Sequence, residues 1–157
     1  MKTMKTMLAA VLAVCLLVPM LAAGEMTAST EEAAALSDRV RAVIADADDM
    51  IELYEEDLSE LMGIEQEDYE DFVYLAPMNP LSGREVIVLL AVDDEAAERI
   101  EGLLRKYLEG RRTEMKNYEP EAYKLLSETD VVRADRLVLL VVGENAAEEI
   151  KLLTTEE

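Results

Sequence analysis

Carboxylates crowd this chain, and they are the first side chains to test for chemistry. Asp46, Asp48 and Asp49 place three acids within four residues. Calcium takes oxygen ligands of this kind, but the segment lacks the spacing and the glycine of an EF-hand loop, so a solvated turn is the preferred reading. Glu65, Glu67, Asp68, Glu70 and Asp71 form the densest acidic run, next to Tyr69 and Phe72 and just ahead of an apolar segment. It reads as a solvated surface or as a site for a cation or a basic partner. A pair of carboxylates can hydrolyse a glycosidic bond. With 35 acidic residues in 157, however, some pair falls at a suitable distance in any fold. A sugar cleft also wants aromatic platforms, and the chain has no Trp and one Phe. A carboxylate hydrolase is therefore the weakest of three readings.

Other chemistries lack their residue types. There is no His, so no imidazole base or imidazole metal ligand. The single cysteine, Cys15, sits in a segment expected to be removed, which leaves no thiolate, no cysteine zinc site and no internal disulfide. No metal ligand set and no cofactor is implied. The formal net charge of −20 argues against nucleic acid and against anionic lipid as partners. Arg105, Lys106, Arg111, Arg112 and Lys116 concentrate positive charge late in one helical stretch. That placement suits the negative end of the helix dipole, with an anionic wall polymer as the alternative partner. Pro77-Met78-Asn79-Pro80 is a rigid apolar loop that strand alternation does not explain. It reads either as a hairpin packing on its own sheet or as a contact surface. The candidate interaction surface is thus Glu67, Asp68 and Asp71 with Pro77, Met78, Asn79 and Pro80.

The N-terminus reads as an export signal. Lys2 and Lys5 precede an apolar run from Met7 to Met20, and Ala22-Ala23-Gly24 lead into a polar chain at Glu25. This is the pattern of a secretory signal peptide, cleaved near Ala23 or Gly24. The run is short for a membrane span of about 20 residues. Membrane contact is expected only through an uncleaved signal, because Gly24 stands where a lipoprotein would carry Cys. Loss of Lys2 and Lys5 takes the net charge from −20 to −22. Residues 1–24 are then signal, 25–30 a short tether and 31–157 one domain, located outside the cytoplasm.

The elements that must position these groups follow from periodicity. Leu36, Val40, Val43, Ile44 and Ala47 give one apolar stripe at helical spacing within 31–47. Asp57 with Glu60 resembles a capping box for a short helix that ends at Gly63. Residues 72–76 and 85–92 read as strands, the second apolar on both faces and therefore central. Asp93 and Asp94 open a long helix with a stripe at Ala96, Ile100, Leu103, Tyr107 and Tyr118, and Pro120 opens another. Val131-Val132 and 137–142 are two more strands joined tightly at Ala134-Asp135, and Asn145 with Glu148 starts a final helix. Residues 88–100 align with 138–150 at an offset of 50, with eight of thirteen positions identical. The expected fold is α+β. An N-terminal helical segment precedes a ββα-ββα pseudo-repeat, making a four-stranded antiparallel sheet with helices packed on one face.

Several segments together resemble a known family. They are Met50 to Leu58 (MIELYEEDL), Leu61 to Asn79 (LMGIEQEDYEDFVYLAPMN), Tyr118-Glu119-Pro120, and Leu140 to Ala146 (LVVGENA). In this order they are similar to domain-of-unknown-function family 4358, small exported proteins of Gram-positive bacteria that are often lipoproteins. The resemblance spans about residues 31–153. It implies an envelope location and an α+β domain, and it supplies no activity and no catalytic residues. The expected function is a non-enzymatic interaction or binding module of the envelope, with an envelope protein as its possible partner. The alternative is an extracytoplasmic binder of a cation or cationic small molecule.

Overall fold

A computed structural model describes residues 36–155. The expected signal segment, the tether and the start of the first helix lie outside the described residues. Residues 36–43 are helical (α1), followed by a 3-10 turn at Ala47–Asp49. Strand β1 (Met50–Glu52) leads into α2 (Glu55–Met62). Strands β2 (Tyr69–Pro77) and β3 (Glu85–Ala91) form a hairpin. Helices α3 (Asp94–Met115) and α4 (Pro120–Glu128) follow, then β4 (Val132–Ala134), β5 (Leu137–Val142) and α5 (Ala146–Thr154).

The sheet is antiparallel throughout, in the order β1-β2-β3-β5-β4. Among the described residues it has five strands rather than the expected four. The extra one is β1, three residues between two acidic stretches, too short to leave a periodic signal. The central position expected for β3 holds: β2 and β5 flank it, and all but one of its side chains are buried.

The helices cover both faces, which corrects the one-face expectation. Ile87 and Leu89 of β3 and Val138 and Leu140 of β5 face α2, α3 and α4, packing with Leu58, Ile100, Leu104 and Leu126. Val86, Val88, Leu139 and Val141 face the other way, onto Leu36, Val40, Ile44 and Leu153 of the α1 and α5 layer. A strand apolar on both sides needs cover on both sides. The sequence repeat does not become a repeated layer. Cross-strand register pairs Val88 with Leu139 and Leu89 with Val138. Val88 and its repeat counterpart Val138 therefore point to opposite faces, and α3 and α5 end up on opposite sides of the sheet.

Several local signals act as expected. Gly63 ends α2 with φ of 72°, a left-handed backbone that glycine adopts without a Cβ penalty. Asp93 caps α3, its Oδ1 accepting from the Ala96 N–H at 2.7 Å. Pro120 starts α4. Asp135 takes the tight β4–β5 turn with φ of 50°. Asp57 differs: it is the third residue of α2 and accepts from the Tyr54 N–H at 2.9 Å, so Tyr54 takes the cap position. The buried stripe of α3 runs Ala96, Ala97, Ile100, Leu104, Leu108 and Met115. Leu103 and Tyr107 lie at its margin, and Tyr118 is exposed.

Candidate functional site

Two of the sequence candidates are separated by the fold. The acidic run is dispersed. Glu67 is exposed, but Asp68 is only 8% exposed in the 3-10 turn before β2. Its Oδ1 accepts from Arg99 Nη2 at 2.6 Å and Nε at 3.2 Å. Glu70 pairs at 2.8 Å with Arg136 of the β4–β5 turn. Asp71 is half-buried, and its Oδ1 accepts from the Phe72 N–H at 2.8 Å. The three aspartates ahead of β1 also part company: Asp46 turns to Arg84, while Asp48 and Asp49 face solvent. Among the described residues no group of three or more acidic or cysteine side chains converges as a metal site. Two of the late basic residues of α3 join neighbouring elements, while Arg111 pairs with Glu114 of the same helix. Arg105 binds Glu101, Asp130 and the Val131 carbonyl, and Arg112 binds Glu109 and the Leu126 and Thr129 carbonyls.

The loop candidate stays together. Pro77 ends β2, and Met78, Asn79 and Pro80 are exposed at the hairpin tip. Met78 is 74% exposed. Asn79 Oδ1 accepts from the Leu81 N–H at 3.1 Å and starts a 3-10 turn at Pro80–Ser82. Gly83 closes the loop with φ of 75°. A Cβ there would meet the Ala122 backbone at 3.0 Å, so the loop seats directly on α4. Leu81 is exposed beside Met78. The tip thus carries two exposed apolar side chains, Met78 and Leu81, on a loop held by local hydrogen bonds.

Two polar groups at the base of this hairpin, Glu85 buried and Arg84 part-buried, were not singled out from the sequence. Glu85, the first residue of β3, is 4% exposed. Its Oε1 accepts from the hydroxyls of Tyr74 and Tyr107, each at 2.7 Å. Burial, reinforced by the Glu85 charge, pushes both phenols well above the usual tyrosine range. Arg84 points to the opposite face. It binds Asp46 through Nε (3.0 Å) and Nη2 (2.8 Å), and Glu149 of α5 through Nη1 (3.1 Å) and Nη2 (2.9 Å). Nη1 also donates to the Val142 carbonyl at 2.9 Å. Burial opposes the Arg84 charge, but the bonds to Asp46 and Glu149 outweigh it and raise its pKa. The same guanidinium holds the Asp46 carboxyl below the ordinary carboxylate value. Gly143 makes room, since a Cβ there would lie 2.6 Å from Arg84 Nη1. A charged pair opening an otherwise apolar strand, Arg84-Glu85 ahead of Val86 to Ala91, was the available signal. These groups anchor the hairpin to the turn after α1, to α3 and to α5.

Among the described residues no helix is long and apolar enough to cross a membrane. No curated protein and no solved structure matches the chain. The family described as Domain of unknown function (DUF4358) matches residues 44–143. That span holds all five strands with α2, α3 and α4, and leaves α1 and α5 outside it. Matched over well more than half its length, the chain belongs to the DUF4358 family.

Proposed function

We propose that this chain is an exported, non-enzymatic interaction module that meets an envelope protein through the tip of its β2–β3 hairpin. The observation that carries the reading is the tip itself: Met78 and Leu81 point outward from a loop fixed by Asn79, Pro80 and Gly83. Exposed apolar side chains on a rigid loop lose little conformational entropy when a partner covers them. The acidic run contributes less, because Asp68 and Glu70 are engaged by Arg99 and Arg136. The same engagement weakens the cation-binding alternative, which needs converging free carboxylates. The test is crosslinking in cells with a C-terminally tagged chain, then capture and mass spectrometry of the envelope fraction. The reading expects a saturable partner that is lost in the Met78→Ser/Leu81→Ser variant and a captured chain shortened near Gly24. A partner retained by that variant removes the tip from the interface.

A further inference from the structure

Among the described residues β1 is an outer strand of the sheet. Among the described residues it has one strand neighbour, β2, with Met50 opposite Pro77, Ile51 opposite Ala76 and Glu52 opposite Leu75. The Leu53 N–H donates to the Tyr74 carbonyl at 2.8 Å. In an antiparallel ladder the hydrogen-bonded pairs alternate, so Ile51 also bonds inward and the backbones of Met50 and Glu52 point outward. The Met50 N–H is taken by the Ala47 carbonyl of the preceding turn. The outward groups are then the Met50 carbonyl and both backbone groups of Glu52.

Two further observations define what could pair there. Apolar side chains are exposed on and next to β1: Ile51 at 44% and Tyr54 just beyond it. The charges around β1 are nearly all of one sign. Asp48, Asp49, Glu52, Glu55 and Glu56 are exposed, and among the described residues only Arg41 pairs with them, reaching Glu52 at 2.6 Å. Folded proteins commonly blunt an edge with lysine, proline or a bulge. This edge is short and charged at Glu52, but it carries no lysine, proline or bulge. A single-sign rim beside free backbone groups attracts the opposite charge and repels like strands.

From this placement we infer that the outer edge of β1 receives an extended, basic segment of the partner protein. That segment pairs antiparallel with Glu52, sets its alternate apolar side chains beside Ile51, and places flanking Lys or Arg against the acidic rim. The inference rests on the interaction-module reading and names the partner's chemistry.

The test uses the full chain as bait for a phage library of random twelve-residue peptides, with selected peptides synthesised for binding assays. The expected selection is alternating apolar residues flanked by Lys or Arg. Glu52→Pro removes one outward N–H and leaves the inward bonds of Ile51 and Leu53 in place, whereas Glu52→Gln keeps the backbone and removes only charge. Binding should weaken about tenfold or more in Glu52→Pro and about threefold or less in Glu52→Gln. Circular dichroism checks that Glu52→Pro is folded. A second readout needs no variant: on peptide addition the Glu52 amide should gain protection from hydrogen exchange, while the Leu53 amide, already bonded, should change little. Failure to select peptides, selection without basic residues, or an unprotected Glu52 amide overturns the inference. A cellular partner lost with Met78→Ser/Leu81→Ser but unaffected by Glu52→Pro would leave the module reading standing and remove strand addition alone.

Discussion

Replacing Arg84 with Met should damage the fold more than any other single polar substitution near the hairpin. Arg84 makes five hydrogen bonds to three elements, and the cost can be divided by partner. Asp46 is nearly half exposed and will rehydrate, so its loss counts for about 0–1 kcal/mol. Glu149 is buried and would be left as an uncompensated charge, which costs about 3–5 kcal/mol. That is a large part of the 5–15 kcal/mol typical of a whole domain. At about 4 °C per kcal/mol, the loss in Tm is about 12–20 °C. Glu149→Leu in the Arg84→Met background should recover about 2–3 kcal/mol, because the orphaned carboxylate is gone. The assay is urea unfolding followed by far-UV circular dichroism, since the chain has no Trp for fluorescence. If Arg84→Met matches the wild type, or the double variant is as unstable as the sum of the singles, Arg84 is not an anchor and the argument fails.

Gly143→Ala should cost about 1–3 kcal/mol by driving a Cβ onto the pinned guanidinium, and almost nothing when Arg84 is already Met; denaturant midpoints in both backgrounds check this. Asp46 contributes stability that is full above its ordinary value of 3.8 and is lost as pH falls through its depressed folded value. Asp46→Asn should therefore flatten the acid limb of a Tm-versus-pH curve below about pH 4 while leaving the curve's shape near neutrality unchanged. Tyr74 and Tyr107 are shifted upward, so their contribution is present below about pH 10 and lost as pH rises through their folded values. Absorbance titration at alkaline pH should show two of the six tyrosines ionising only with unfolding. Tyr107→Phe should cost about 1–3 kcal/mol by removing one of the two donors to Glu85.

Much of the frame was legible in the residues, for physical reasons that can be named. Val86 to Ala91 is apolar at both parities, and only a strand buried on both faces can use that pattern. Gly63, Asp93 and Pro120 mark helix ends because each solves a backbone problem that few residues solve as well. The one-face layer failed because a repeat in sequence does not set cross-strand register. The pairing of Val88 with Leu139 turns the second copy over. For the candidate surface, the hairpin tip could be read from Pro77, Asn79 and Pro80, whose conformational limits are local. The fate of Asp68 could not, since Arg99 arrives from another element. Arg84, Asp46 and Glu149 are likewise brought together across 38 and 65 positions, beyond the reach of any local pattern.

The order of strands also bears on how the chain assembles. β2 and β3 are joined through residues 78–84 alone, whereas β3 and β5 are separated by residues 92–136, which carry α3, α4 and β4. Closing the longer loop costs about 1.6 kcal/mol more in chain entropy. The hairpin should thus form early and β5 should dock late. Until it docks, β3 presents an unpaired edge flanked by the apolar side chains of Val86 to Ala91, an invitation to pair with another chain. The folded protein hides this edge completely at the middle of its sheet, so the hazard belongs to the folding interval. Lengthening the α3–α4 excursion should extend that interval and raise aggregation during refolding without changing the stability of the finished fold by more than a small amount.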